Sequence, residues 1–411
     1  MQWLITIYTV ALFGFILIGA ATSPVSLRYN WSNVLVRWRS TLATVLGIAL
    51  LVAVYVLMQA LAVGIEKSSG NTGDPRNLIV VRKGSTAESS SLVQLEQLKT
   101  LQYAPEIARG ERNEPLISAD VVIVMNLARR GTNAGEANVL LRGIAKRGLP
   151  LRPQVELVAG RWFEPGKREI VVSRKLVDRF AHFDVGDSFK TGPATLTVVG
   201  WLDGHKSAFD SECWMDADEA RALFDRDMYS SLLVRPLDDP QARTNLVKRI
   251  EGDKRLQLRA LAETDYYKAQ TMTAVPIRWM GKFLAWAMSI GAVFAAMNTM
   301  YAAVGARTRE VGTLRVLGYR RRMIVSSFLI EGTMLALVGG VLGILVSLFL
   351  NGRTMSWFGF ETFAELVFEF AITPALALQG LKFAVLVGAT GTLLPAIRAA
   401  RLPVISSLKS V

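Results

Sequence analysis

The chain has 411 residues, 51% of them hydrophobic, with 47 Lys and Arg against 34 Asp and Glu for a net charge of +13. The positive mean hydropathy excludes an ordinary soluble protein, and the 20% charged content excludes one lying wholly within lipid. Charge and apolarity are segregated along the chain, so the cation excess reflects membrane topology and carries no implication of nucleic-acid binding.

A helix crosses the hydrocarbon core with about 20 predominantly apolar residues. Residues 3–21 form the first such run. It lacks the basic start of a secretory signal, although Gly19, Ala20 and Ala21 resemble a cleavage site; a retained helix with its N-terminus outside is expected, a signal anchor the alternative. Residues 31–39 set Trp31, Leu35 and Trp38 against Arg37 and Arg39, the pattern of an interfacial helix. Residues 41–64 are an uncharged second run. These boundaries divide the start of the chain into 1–22 and 23–64.

Residues 65–282 are polar and long enough for one sizeable domain or two small ones. Short β-branched stretches at 77–81, 121–124, 170–172, 196–199 and 231–234 are strand candidates. Residues 84–91 read as a loose Ser-rich loop. Helical spacing occurs at 92–101, 174–180 and 216–225, the last with Asp216 as N-cap and Glu219 three residues on. Interleaving of the two types predicts two small α/β lobes rather than a β-sandwich. Residues 265–278 are expected to continue as a helical stalk, with Tyr266, Tyr267 and Trp279 as interfacial and stalk packing.

Three further apolar runs follow at 283–304, 323–350 and 376–397, within a membrane region 283–411. The fold class is thus an α-helical membrane protein with four core spans, an extra N-terminal one, and a large mixed α/β domain outside the cytoplasm. Lys and Arg in short loops stay cytoplasmic. Residues 22–40 carry Arg28, Arg37 and Arg39 and no acid, and the tail has Arg398, Arg401 and Lys409. The loop 351–375 instead sets Arg353 against Glu361, Glu365 and Glu369. Alternating spans put the basic loops inside, and the large domain with the acidic loop outside.

The loop 305–322 is the most basic, with six arginines and one acid. Val311, Leu314, Val316 and Leu317 would lie along one side of a short helix with the arginines over the rest. Such a helix suits docking on another protein or lying on the lipid surface; the plain alternative is a solvated loop that fixes topology. Glu331 lies about 12 Å inside the next span, where a carboxylate needs a partner. An interfacial ion pair with Arg320, Arg321 or Arg322 is expected, a proton relay the alternative. Gly339, Gly340 and Gly343 include a G-x-x-x-G spacing that allows close helix packing, within or between protomers. Thr373 and Pro374 read as N-cap and first-turn proline of the last span, and Pro395 as a kink or stop.

No chemistry of catalysis is visible. His182 and His205 have no ligand cluster around them, so no metal site is expected. Cys213 is alone and reads as a packed thiol. There is no G-x-S-x-G, and no G-x-x-x-x-G-K-[S/T] to hold nucleotide phosphates.

The stretch MNTMYAAVGARTREVGTLRVLGYRR (297–321) resembles the signature of FtsX-like permeases, in particular the MacB and LolC/LolE group. FLIEG (328–332), GGVLG (339–343) and LPAIRAARLP (394–403) are similar to its membrane motifs. VAGRWF (158–163), EIVVS (169–173) and VGD (185–187) resemble its periplasmic domain. The resemblance implies the membrane subunit of an ATP-binding-cassette transporter of the mechanotransmission type, with four spans and a large outer domain after the first. It also implies partners: a separate cytoplasmic ATPase that binds ATP and Mg, a second copy or related permease, and an external adaptor or substrate protein, all set in membrane lipid. The first apolar run is extra to that pattern, and the acid usual in the closing motif is missing beside Arg401.

On that resemblance, residues 305–322 are a coupling helix. Arg307, Arg309, Glu310, Arg315 and Arg320 would make polar contacts with the ATPase, and Val311, Leu314 and Leu317 apolar ones, while Gly312 and Gly318 allow close approach and the exit turn. The protein itself is expected not to be an enzyme. Its cargo is expected to be a lipoprotein, peptide, lipid or drug. The alternative is an FtsX-like regulator of an external cell-wall hydrolase, whose outer domain is usually smaller than this one.

Overall fold

The computed structural model describes residue 14 and residues 38–403, except 111–112, 132–134, 193, 271–273 and 359–363. The apolar run 3–21 beyond residue 14, the interfacial segment before residue 38, part of the stalk and the tail after 403 lie outside the described residues. The described chain forms two compact units. One comprises its parts within 1–61, 277–351 and 371–411, the other residues 62–276 and 352–370.

Among the described residues, four helices are long and apolar enough to cross a membrane. They lie within α1 (Trp38–Gly70), α7 (Ala274–Ala306), α9 (Arg321–Leu348) and α10 (Pro374–Arg401). All four match predicted runs. Thr373 caps α10 by accepting from the Leu376 N–H at 3.2 Å, with Pro374 in the first turn as expected. Pro395 does not end that helix, which runs on to Arg401.

The glycines explain how the bundle closes. A Cβ on Gly343 would come within 2.5 Å of the Ala49 carbonyl oxygen, and one on Gly339 within 2.8 Å of the Val45 oxygen. Gly340 faces Ala384, whose Cβ would lie 2.8 Å away. The glycine-rich side of α9 therefore packs within this one chain, against α1 and α10. Only glycine allows these backbones so near each other, and the buried Ser347 adds a bond from its Oγ to the Ala53 carbonyl at 3.4 Å.

The main sheet of the second unit has ten strands among the described residues. In chain order they are β1 (Leu78–Arg82), β2 (Ile117–Ala128), β3 (Glu136–Ile144), β4 (Glu156–Gly160), β5 (Glu169–Ser173), β6 (Ser188–Thr191), β7 (Ala194–Asp203), β8 (Glu212–Asp216), β9 (Ser231–Val234) and β10 (Leu258–Ala262). Five short helices accompany them: α2 (Leu95–Leu101), α3 (Arg174–Val177), α4 (Ala217–Leu223), α5 (Pro240–Gly252) and α6 (Glu263–Gln270). The path runs β10-β1-β9-β2-β3-β8-β5-β7-β4, with β6 on β7.

The predicted pair of lobes is corrected to two halves of one sheet path. Strand β2 is the joint, because it is long enough to serve both: its residues 117–120 pair with β9 and 121–128 with β3. An apolar core from Leu78 and Ile117 through Leu141 to Leu196 draws on both halves, as does a second cluster with Ile79, Ile144, Val171 and Trp214.

Asp216 caps α4 by accepting from the Glu219 N–H at 3.1 Å, as its spacing predicts. The loop 84–91 is not loose, since a short 3₁₀ turn there buries Glu88. Tyr266 and Tyr267 are not interfacial but each 4% exposed inside this unit. Cys213 is fully buried, and burial pushes its thiol far up.

Candidate coupling site

Helix α8 (Thr308–Val316) occupies the middle of the basic loop. Gly318 ends the segment at φ +91°, a left-handed conformation that glycine adopts without penalty, and Arg320 is the N-cap residue of α9. The helix is held by an apolar cluster in which Val311 packs with Met300, Val304, Ile324, Phe328 and Ala399. Val311 and Gly312 are buried, so they brace the helix from within, and Val311 is not a contact for a partner. Leu314 is half-buried, while Val316 and Leu317 are 61% and 69% exposed. The expected single apolar side is thus divided between an inner and an outer face. Leu314, Glu310 and Val311 share a cleft with Tyr319, Met323 and Phe328. Arg309, Glu310, Gly318, Arg320, Arg321 and Arg322 are exposed, and Arg315 is half-buried with its Nε lacking an acceptor among the described residues.

Glu331 has a partner, but not the predicted one. Arg307 Nη1 donates to its Oε2 at 2.9 Å and Nη2 to Oε1 at 3.5 Å. Both residues are under 10% exposed. The expectation of Arg320–Arg322 is corrected for a geometric reason: those arginines cap and open α9 itself, on its exposed first turn. Arg307 instead leaves the end of α7 and reaches α9 from the side. Two fork bonds to a carboxylate fix orientation as well as charge. Arg307 therefore turns inward, away from any partner surface.

A second ionic cluster lies in the outer unit, where the sequence reading found nothing. Arg142, 1% exposed, donates to Glu88 at 2.9 and 3.0 Å and to Glu212 at 2.7 and 2.8 Å. Arg152 reaches Asp120 alongside, and the Tyr266 hydroxyl accepts from the Glu88 N–H at 2.7 Å. Burial pushes the Glu88 carboxyl up, but the Arg142 charge outweighs it and holds the group below its usual range. The signal was one arginine inside an otherwise apolar strand, VLLRGI (139–144). Glu263 is fully buried at the start of α6; its Oε2 accepts from the Asp74 N–H at 2.9 Å and from Asn77 Nδ2 at 2.8 Å. This bond ties the segment that follows α1 to the one that leads back towards α7. Among the described residues no cluster of His, Cys, Asp and Glu has metal-binding geometry.

The segment between these two spans is thus a short helix, braced from within and arginine-rich outside. The MacB-like periplasmic core domain matches residues 41–252, more than half of the chain, and the FtsX-like permease C-terminal region matches 282–404. This chain is an FtsX/MacB-like ABC permease. The permease is 25% identical over 415 residues to the pyoverdine export ATP-binding/permease protein PvdT of Pseudomonas entomophila, covering 93% of this chain and 58% of that protein. It is likewise 25% identical to the macrolide export ATP-binding/permease protein MacB of Agrobacterium fabrum, covering 90% and 58%. The chain thus spans little more than half the length of these relatives. The periplasmic region of MacB from Actinobacillus actinomycetemcomitans aligns with 49% of the permease and 94% of that structure, at 14% identity and TM-score 0.36.

Proposed function

We propose that the permease converts ATP hydrolysis by a cytoplasmic ATPase into movement of its outer domain, and so exports or extracts cargo on the outer side. The observation that carries this reading is the coupling helix, clamped to α9 by Arg307–Glu331 while Leu317 and several arginines stay open to a partner. ATP and Mg belong to the ATPase. Connectivity supports the orientation. Residues 352–370 fold into the same unit as 62–276, so the chain ends feeding that unit share one side of the membrane. The coupling helix then lies on the other side, with the basic segments.

Two copies, or one copy and a related permease, would form the working pair. The names of relatives, pyoverdine and macrolide exporters, support an exported product as cargo, received outside by an adaptor or a substrate protein. The test is reconstitution of the permease with its ATPase in lipid discs. Leu317→Asp and Arg309→Glu are expected to abolish the permease-dependent rise in ATP turnover while the protein still inserts and folds. Unchanged turnover in both variants contradicts the reading.

A further inference from the structure

The segment joining α9 to α10 forms a hairpin, β11 (Thr354–Phe358) and β12 (Glu365–Glu369). It belongs to the outer unit, not to the bundle from which it emerges. Val367 is fully buried in the main core of the outer domain. Ser211 Oγ accepts from the Val367 N–H at 2.7 Å and donates to its carbonyl at 3.4 Å. Two carboxylates fasten the same strand. Glu365 meets Arg129 and Arg179. Glu369 meets Lys175 at 2.9 Å and Lys206 at 3.0 Å, and Lys175 also holds Asp210 at 2.8 Å. The end of α1 joins in, since a Cβ on Gly64 would strike the Glu369 carbonyl.

The root of the hairpin is stitched as well. Gly352 N–H donates to the Phe370 carbonyl at 3.0 Å and Phe370 N–H to that of Arg353 at 3.2 Å. Next to it, Ile372 N–H donates to Asn351 Oδ1 at 2.9 Å. The ends of α9 and α10 are thereby pinned together.

We propose that this hairpin is a strut through which displacement of the α9–α10 pair is imposed directly on the outer domain, in parallel with the path through α6 and α7. The proposal rests on the function proposed above. Movement of the coupling helix enters α9 at Glu331, and α9 and α10 share it because Gly332, Gly340 and Gly388 let the two helices pack closely. The hairpin delivers it at Val367 and the two carboxylate clamps. A strut buried at one end and hydrogen-bonded at its root has little slack to absorb the motion.

The experiment inserts eight-residue Gly-Ser linkers between residues 351 and 352 and between 370 and 371. Each adds about 16 Å of flexible reach and leaves the hairpin's docking residues untouched. Spin labels at Tyr103→Cys and Leu394→Cys, both on exposed side chains, report the distance between outer domain and bundle in the complete complex with its ATPase. In the parent protein ATP is expected to change that distance, and in the slack variant most of the change is expected to be lost while ATP turnover and thermal unfolding persist. An unchanged distance response in the slack variant overturns the strut alone, whereas no response in the parent overturns both the strut and the proposed function. If the slack variant does not fold, Glu365→Gln with Glu369→Gln decides: a reduced response supports the strut, an unaltered one refutes it.

Discussion

Arg307 and Glu331 lie 24 positions apart and meet at 2.9 Å, with both side chains nearly sealed from solvent. The bond joins the end of one span to the flank of another across the helix that separates them in sequence. The two spans cannot part at this level without exposing or stranding a charge. Any push on α8 is therefore shared at once between α7 and α9.

Removing one partner leaves the other charge buried and unpaired. Glu331→Gln or Arg307→Ala is expected to destabilise the bundle by about 3–5 kcal/mol. Replacing both by Met is expected to recover much of the loss. Thermal unfolding of the three variants and the parent in detergent measures this, and a double replacement that loses as much as the two single ones together would count against a direct pair.

Val311 lies within α8 and Leu317 is its C-cap residue, with opposite exposures of 3% and 69%. Val311→Asp is expected to prevent stable folding of the bundle, because a carboxylate would enter an apolar cluster. Leu317→Asp is expected to leave stability within about 0.5 kcal/mol and to remove the stimulation of ATP turnover. Equal behaviour of the two variants in both assays would contradict the division of the helix into inner and outer faces.

Gly343→Val should force α9 away from α1, since its Cβ would meet the Ala49 carbonyl oxygen at 2.5 Å. Overpacking of this kind is expected to cost about 1–3 kcal/mol. Gly47→Val, where nothing lies within 4 Å of the added Cβ, is the control. Comparable unfolding temperatures for the two would rule the contact out.

Burial pushes the Glu369 carboxyl up, but hydrogen bonds and charge from Lys175 and Lys206 outweigh it and lower the pKa. A lowered acid stabilises the fold above its unfolded value, about 4.3 for glutamate, and that stabilisation is lost as pH falls through the folded value. The hairpin clamp is thus expected to be intact at neutral pH and to loosen on acidification below about pH 4. Hydrogen exchange of residues 365–370 measured down that range reads the effect, and Glu369→Gln should flatten its pH dependence. Exchange that is insensitive to acid in the parent would exclude the clamp.

Much of this fold is written locally. The four described spans follow from runs of apolar residues in which Glu331 and Lys382 are the only charges, and the caps at Asp216 and Thr373 from side chains that bond their own helices. The sheet order is not local. Strand β1 pairs with β10 and β9, partners that lie far along the chain, and no short-range pattern encodes that choice. Strand β3 was overlooked because Arg142 breaks its apolar run, yet that arginine is what the core carboxylates close upon. The hairpin shows in the sequence only as an acidic loop on the outer side. Its charges were visible, but the lysines and arginines they meet are scattered between residues 129 and 206. At the coupling helix, sequence placed Glu331 at an ion pair and missed which arginine completes it, since Arg320–Arg322 are nearer along the chain than Arg307.

Val367 also sets the order in which the protein can be made. It fills a place in a core whose other buried residues leave the ribosome more than a hundred positions earlier. Until the third described span has crossed and carried β11 and β12 after it, that domain waits with a vacant socket at its heart. Its maturation outside the cytoplasm is therefore tied to completion of the membrane part, and a chain truncated after α9 would display an unfinished interior to proteases.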